Sequence, residues 1–302
     1  MTAESENSVQ IDRHQAAARE IPPGLYFIAT PIGAARDITL RALDLLAGAD
    51  VLAAEDTRSL RHLMEIHGVA LKDRALVPYH EHNEAQALPR LMRALSEGKS
   101  VVYASEAGTP LISDPGFGLA RAAIAEDLPV LAAPGASAVL CALTVSGLPS
   151  DRFLFAGFPP SAKAGRRRFL DGLVRTQATV ILYESPKRII ETLGECVRVF
   201  GEERQAVVCR ELTKRFEEVT RGTLADLVTA YDGRDVKGEI VLLIDRGAEV
   251  QADAGTVEAA LDRAMDSMSI KDAAAAIADA YGVPRREVYQ LALSRARTGK
   301  DG

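Results

Sequence analysis

Ser100-Val-Val-Tyr-Ala104, then Ser105-Glu-Ala-Gly108-Thr109-Pro110-Leu-Ile-Ser-Asp-Pro-Gly116, then Phe117-Gly-Leu-Ala-Arg-Ala-Ala-Ile-Ala125 reads as a strand, a long loop and a helix. The first five residues are apolar and β-rich. The last nine carry a helical pattern. The twelve between them hold two glycines, two prolines, two acids and three hydroxyls. Glycine lets backbone approach a ligand closely, and proline fixes the approach. At the carboxyl end of a strand, such a loop lies where open α/β sheets bind ligands. Its plainer reading is a long, well-made turn.

The same alternation extends in both directions. Upstream, strands are expected at Leu25–Thr30, Asp50–Ala54 and Ala75–Tyr79. Helices are expected at Thr39–Ala47, up to about His67, and at Glu84–Glu97. Downstream, Leu128–Ala133 reads as a strand, followed by Pro134-Gly-Ala-Ser137-Ala138 and a helix to Ser146. Short apolar strands alternating with helices predict a mostly parallel sheet covered on both faces. Right-handed crossovers keep the loop-bearing strand ends on one side. Gly147-Leu-Pro-Ser150 reads as a linker. Beyond it, strands at Phe153–Phe158, Thr179–Tyr183, Ala206–Cys209, Glu217–Thr220 and Glu239–Ile244 accompany helices near Arg166–Arg175, Pro186–Phe200 and Leu224–Tyr231. A pairing of the strands near Glu217 and Glu239 predicts a mixed sheet.

After Gly255 the strand signal stops. Val257–Met268, Lys271–Ala280 and Arg285–Ala296 read as short helices, and a Gly282 turn joins the last two as a helix-turn-helix. The division expected is a flexible tail over 1–21, an α/β domain over 22–147, a mixed α/β domain over 150–248 and a helical appendage over 255–298.

With 302 residues, 47% hydrophobic and 26% charged, the chain has the make-up of an ordinary soluble protein. A net charge of -6 excludes indiscriminate nucleic-acid coating but not a local basic patch. Three cysteines without paired spacing (Cys141, Cys196, Cys209) fit a reducing compartment. The first twenty residues lack an apolar secretory core. The uncharged run Leu128–Ser150 is broken by Pro134-Gly135, so it reads as strand, turn and helix rather than a membrane span. These observations imply a cytoplasmic protein that spans no membrane. His80 and His82 have no third ligand in view, so no metal is expected. There is no G-x-G-x-x-G, and Gly98-Lys99-Ser100 lacks the first glycine of a phosphate loop.

Eight motifs come in a telling order: Thr30-Pro-Ile-Gly33; Ala54-Glu-Asp-Thr-Arg58; Gly108-Thr-Pro-Leu-Ile-Ser-Asp-Pro-Gly116; Pro134-Gly-Ala-Ser-Ala138; Gly147-Leu-Pro-Ser-Asp-Arg-Phe153; Tyr183-Glu-Ser185; Arg210-Glu-Leu-Thr-Lys214; and Gly238-Glu-Ile-Val-Leu242. Together they resemble the tetrapyrrole-methylase-like superfamily and, within it, the ribosomal RNA small subunit methyltransferase I family. The resemblance covers about Leu25 to Ala296. There are two departures: Ala34-Ala35 follow Gly33 where the family has Asn-Leu, and Glu106 stands where the family has aspartate. The resemblance implies two α/β domains with S-adenosylmethionine in the cleft between them, plus the terminal helix-turn-helix. It also implies a homodimer acting on 16S rRNA within the small ribosomal subunit, at the ribose 2′-oxygen of a decoding-centre cytidine. A small-molecule (tetrapyrrole) methylase would share the cofactor cleft. A non-enzymatic, ligand-sensing helix-turn-helix regulator would share the tail.

Methyl transfer to a hydroxyl needs in-line alignment, uptake of one proton and a slot for the cofactor. Ile32, Gly33, Gly108, Thr109 and Pro110 are expected to bring backbone against the cofactor. Ser137 and Ala138 open a helix whose N–H groups suit a carboxylate. The resemblance places Leu182, Tyr183, Cys209 and Gly238 in the second wall. Glu55, Asp56, His82, Glu184 and Glu211 are proton-transfer candidates, with Glu55, Asp56 and Arg58 forming the catalytic group; Asp56 beside Arg58 reads as an organiser rather than a strong base. Lys163, Arg166, Arg167 and Arg168, on a loop entering a helix, are expected to hold RNA phosphates together with Lys187 and Arg188. Tyr79 and Phe158 are each candidates for stacking one base.

Overall fold

Leu25, Phe27, Val101 and Tyr103 alternate along their strands with Tyr26, Ile28, Val102 and Ala104, and all eight are buried. Strands with both faces apolar belong at the centre of a covered parallel sheet. A computed structural model describes residues 20–112, 115–247 and 254–298. In it these residues form β1 (Gly24–Ile28) and β4 (Ser100–Ala104), which lie side by side. With β2 (Val51–Ala54), β3 (Ala75–Pro78) and β5 (Val130–Ala133) they make a wholly parallel sheet in the order β3-β2-β4-β1-β5. On one face, α1 (Leu40–Gly48) and α2 (Thr57–Ile66) bury Leu43, Leu46, Leu60 and Met64 against Tyr26, Ile28 and Val102. On the other, α3 (Glu84–Ser96) and α4 (Phe117–Ala125) bury Leu91, Leu95 and Leu119 against Leu25, Phe27 and Tyr103.

The next helix, α5 (Ala138–Ser146), leaves this sheet and covers the second one. Its Val139, Ala142 and Leu143 pack on Ile181, Val207, Cys209, Val241 and Leu243. The carboxyl end of α5 exposes carbonyls that favour a cation. Arg221 supplies it: Nε donates to the Ser146 carbonyl at 3.1 Å and Nη2 to that of Val145.

The second sheet runs β6 (Phe153–Gly157), β7 (Thr179–Glu184), β10 (Ile240–Ile244), β8 (Gln205–Arg210) and β9 (Glu218–Thr223). It is mixed, with β6 parallel to β7 and the other pairs antiparallel. The strands near Glu217 and Glu239 do not pair with each other, contrary to the expectation from sequence. The fully buried run Ile240–Ile244 takes the centre, and β9 forms an edge against β8. On the face away from α5 lie α6 (Lys163–Asp171), α7 (Ile189–Phe200) and α8 (Leu224–Tyr231). The basic stretch at 163–168 therefore lies within a helix, not on a loop before one. Finally α9 (Ala254–Met265), α10 (Ile270–Tyr281) and α11 (Arg285–Thr298) share a small core of Val257, Leu261, Ala273, Ile277, Val288 and Ala292. Gly282, in the left-handed region, ends α10. The tail read over 1–21 lies outside the described residues except for its last two. Among the described residues, no helix is long and apolar enough to cross a membrane, and no cluster of side chains could hold a metal.

Candidate active site

The carboxyl ends of the parallel strands and the second sheet enclose a cleft of about 450 Å³. Ile32 enters it after β1, Glu55 after β2, Glu106 and Ala107 after β4, and Ala138 at the start of α5. Phe158, Tyr183, Cys209, Leu212 and the segment Gly238–Val241 come from the second half. The walls are largely apolar. Among the described residues, four glutamates (55, 106, 184, 239) line the cleft and no lysine, arginine or histidine does, while Lys214 pairs with Glu239 at 2.8 Å from outside the lining.

The β4 loop is built through its backbone. Thr30 and Gly108 exchange two backbone hydrogen bonds, both 3.0 Å. Ser105 Oγ donates to the Gly108 carbonyl at 2.6 Å, and Thr109 Oγ1 donates to the Ala136 carbonyl at 2.9 Å. These bonds staple the ends of β1, β4 and β5 together beside the cleft. Ser137 caps α5 by accepting from Leu140 N–H.

On the opposite wall, Gly238 has φ +89°, and a Cβ there would lie 2.4 Å from Glu211 Cδ. The Glu211 carboxylate fills that space. It accepts from Lys214 Nζ at 2.9 Å and from Glu239 N–H at 3.0 Å, and these two bonds hold its pKa below the ordinary range. Burial pushes the Cys209 thiol up to about 12, so it meets the cleft as a neutral apolar group. Burial first, then Glu239, raises the Tyr183 phenol as well. Glu184 is buried and fully engaged: Ser185 N–H (2.7 Å), Arg188 Nη2 (2.7 Å) and Thr192 Oγ1 (2.6 Å) all approach its carboxylate.

Residues 24–228 match the family model for tetrapyrrole (corrin/porphyrin) methylases, and residues 251–296 match that of the RsmI C-terminal HTH domain. Ribosomal RNA small subunit methyltransferase I of Mesorhizobium japonicum is 44% identical over 97% of this chain and 99% of its own. The chain belongs to the ribosomal RNA small subunit methyltransferase I family. Its namesake in Pseudomonas aeruginosa is 42% identical, covering 90% of this chain and 97% of that one. Among solved structures, the methyltransferase CobJ (TM-score 0.56, 18% identity, 74% of this chain, 95% of that one) and diphthine synthase (0.56, 17%, 73% and 89%) share the fold.

Ile32, Ala138, Tyr183, Cys209, Gly238 and Glu55 line the cleft. Gly108, Thr109, Pro110 and Ser137 build the frame behind it. Gly33 turns elsewhere: a Cβ there would meet Thr213 Oγ1 and Lys214 Cγ, both at 2.5 Å, so it serves close contact with the β8–β9 loop. Ala34 N–H donates to Thr213 Oγ1 at 3.1 Å in the same seam. The Leu182 side chain points into the core beneath α7 and α8, because alternation along β7 gives the cleft face to Ile181 and Tyr183. Asp56 caps α2 and grips Arg58, accepting from its N–H at 2.8 Å and its Nη2 at 3.2 Å. The Arg58 side chain and N–H hold the Asp56 carboxyl below its ordinary range. Neither residue lines the cleft.

Two of the expected phosphate contacts are committed inside the protein. Arg166 is only 2% exposed and bonds Glu191 Oε2 at 2.8 Å and the Ser161 carbonyl at 3.2 Å. Arg188 is held by Glu184. Lys163, Arg167, Arg168 and Lys187 remain exposed. Tyr79 is fully buried, its hydroxyl on Glu84 Oε1 at 3.1 Å, and cannot stack a base. Sequence reading carried Leu212, Glu239, Ile240 and Val241 only inside the motifs Arg210–Lys214 and Gly238–Leu242 and did not single them out as lining residues.

Proposed function

We propose that the chain transfers a methyl group from S-adenosylmethionine to the ribose 2′-oxygen of a decoding-centre cytidine in 16S rRNA, working as a cytoplasmic homodimer on the small ribosomal subunit. The observation that carries the reading is the cleft's chemistry: apolar side chains together with four glutamates, of which Glu184 is paired with Arg188 and Glu239 with Lys214, and, among the described residues, no lysine, arginine or histidine in the lining itself. A ligand bearing a sulfonium and an ammonium suits such a site, since carboxylates favour nearby positive charge and a pocket of this size suits a nucleoside-sized molecule. A polyanion does not suit it, so RNA is expected to present only one nucleotide there. The relatives' names supply the substrate class. When bound, S-adenosylmethionine supplies a methyl group activated by its cationic sulfur. Tyr183, Cys209 and Gly238 offer an adenine-sized wall, and the α5 amino end offers N–H groups to a carboxylate. Glu55 is the residue of the Glu55–Asp56–Arg58 group that lines the cleft, and it is the acceptor this reading assigns to the hydroxyl's hydrogen bond. Asp56 acts through Arg58 and the first turn of α2. Alignment is the larger part of the rate, worth about 7–11 kcal/mol in well-oriented systems.

The test uses S-adenosylmethionine labelled in its methyl group, with unmodified small subunits, naked rRNA and a tetrapyrrole as parallel acceptors. Label on the RNA is expected. Label on the tetrapyrrole alone would overturn the reading, and label on none would favour a ligand-sensing regulator.

A further inference from the structure

β6 carries a one-residue irregularity where it pairs with β7. Phe153, Leu154 and Phe155 stand opposite Thr179, Val180 and Ile181, and then Gly157, not Ala156, stands opposite Leu182. An extra residue of this kind re-aims the side chains that follow it. In a parallel pair, opposed residues share a face, and successive side chains alternate. Ile181 belongs to the face under α5, and Leu182 and Ala156 to the face under α7 and α8. Without the extra residue, Phe158 would fall on the α7–α8 face with Ala156. With it, Phe158 comes level with Tyr183 on the cleft face. Gly157, at φ +75°, supplies the bend.

The outcome is a large ring among the residues that line the cleft. Phe158 sits edge-on to Tyr183 at 5.4 Å, and Tyr183 in turn packs on Phe155 at 4.7 Å. The outer face of Phe158 is open, with the residue 54% exposed. Its loop is braced rather than loose. Arg188 Nη1 donates to the Pro159 carbonyl at 3.1 Å, while its Nη2 is fixed by the buried Glu184. Pro160 packs on the first turn of α6, where a Cβ on Gly165 would lie 3.3 Å from it. That helix carries the exposed Arg167 and Arg168, and Lys187 is exposed beside Arg188. An exposed aromatic ring on a loop packed against a helix that carries exposed cations has the two ingredients that bind unpaired nucleic acid, the ring taking a base and the cations taking phosphates.

We infer that Phe158 is the stacking platform for the unpaired base of the acceptor nucleotide, with Arg167, Arg168 and Lys187 on the neighbouring phosphates and Arg188 as a positioning residue for the Phe158 loop. This rests on the RNA-methylation reading. Phe158 meets Tyr183 on one side and is exposed on the other, so the cofactor's adenine is assigned to the Tyr183, Cys209 and Gly238 wall and the exposed side of Phe158 to the substrate.

The chain contains no tryptophan, so Phe158→Trp introduces a single indole whose emission reports stacking. The probes are a short unpaired oligocytidylate, an abasic oligoribonucleotide of equal length, and S-adenosylmethionine alone. Saturable quenching by the base-bearing RNA is expected, with little from the abasic one. Phe158→Leu is expected to weaken oligocytidylate binding about 5- to 150-fold, the range of one base–aromatic stack, while Phe158→Tyr keeps most of the affinity. Arg188→Met should weaken binding while leaving the slope of affinity against salt unchanged, as suits a residue that touches no phosphate. Equal quenching by the two RNAs, quenching by S-adenosylmethionine in place of RNA, or unchanged affinity in Phe158→Leu would each overturn the platform. Failure of the wild-type protein to methylate RNA while quenching persists would instead refute the reaction. Methylation without quenching would refute the platform alone.

Discussion

Gly238→Ala probes the second wall of the cleft. The backbone there is at φ +89°, and the new methyl group would sit 2.4 Å from both Cδ and Oε1 of Glu211. An L-residue in left-handed geometry costs roughly 1–2 kcal/mol. Relieving the overlap means expelling the Glu211 carboxylate, which loses its bonds to Glu239 N–H and Lys214 Nζ. Hydrogen bonds to a charged group are worth about 1.5–3 kcal/mol, and the lower end applies because the site is partly open to solvent. The expected destabilisation is roughly 2.5–4 kcal/mol, or a fall in Tm of about 4–6 °C for a chain of this size. S-adenosylmethionine affinity should fall with it, because Gly238–Val241 is the displaced wall. Calorimetric melting and titration measure the two effects. The control is Glu211→Ala alone and combined with Gly238→Ala. Removing the carboxylate removes the overlap but not the strain, so the two changes should be non-additive by about 1–2 kcal/mol. Strict additivity, or a Gly238→Ala protein that melts with the wild type, would refute the reasoning. The pH dependence has a definite sign. Glu211 is depressed in the folded state, so its contribution is complete above the ordinary carboxylate range and is lost as pH falls through its folded pKa. Glu211→Ala should therefore narrow the stability gap between neutral and acid pH.

Other outcomes follow from the same geometry. Arg166→Ala should destabilise the fold by about 2–4 kcal/mol by emptying a buried site and unpairing Glu191, as read by thermal melting. Arg167→Ala with Arg168→Ala should leave the melting temperature in place and lower the slope of log affinity against log salt by about 0.7–0.9 per lost phosphate contact. Gly33→Ala should cost about 1–3 kcal/mol by forcing Thr213 and Lys214 away from the seam between the two halves, again seen in melting. Asp56→Asn should lower turnover by about ten- to a hundredfold while S-adenosylmethionine affinity changes less; equal loss of both in steady-state kinetics and titration would contradict a positioning role.

The parallel sheet was legible because its strands are short apolar runs, each ending in a glycine, proline or acidic loop. The ordered loop motifs pointed to the cleft for the same reason: backbone-lined sites leave their mark as Gly, Pro and capping Ser or Thr. Side-chain direction was not legible. Leu182 and Tyr183 are neighbours in sequence, yet face a core and a cleft. Arg166 looked like its neighbours Arg167 and Arg168, yet it lies four residues before the buried Leu170 on one face of α6. That spacing was a usable signal once the helix start was placed at Lys163. The pairing of β9 with β8 depends on long-range contacts that no local pattern fixes. The extra residue at Ala156, which decides where Phe158 points, is visible only in the register with β7.

The chemistry of the transfer is decided by one analysis. Small-subunit RNA that has been reacted with the protein and methyl-labelled S-adenosylmethionine is digested to nucleosides and separated by chromatography. The proposed reaction predicts that the label runs with 2′-O-methylcytidine. Label on a base-methylated nucleoside, or none in the RNA while a tetrapyrrole acceptor is labelled, would contradict it.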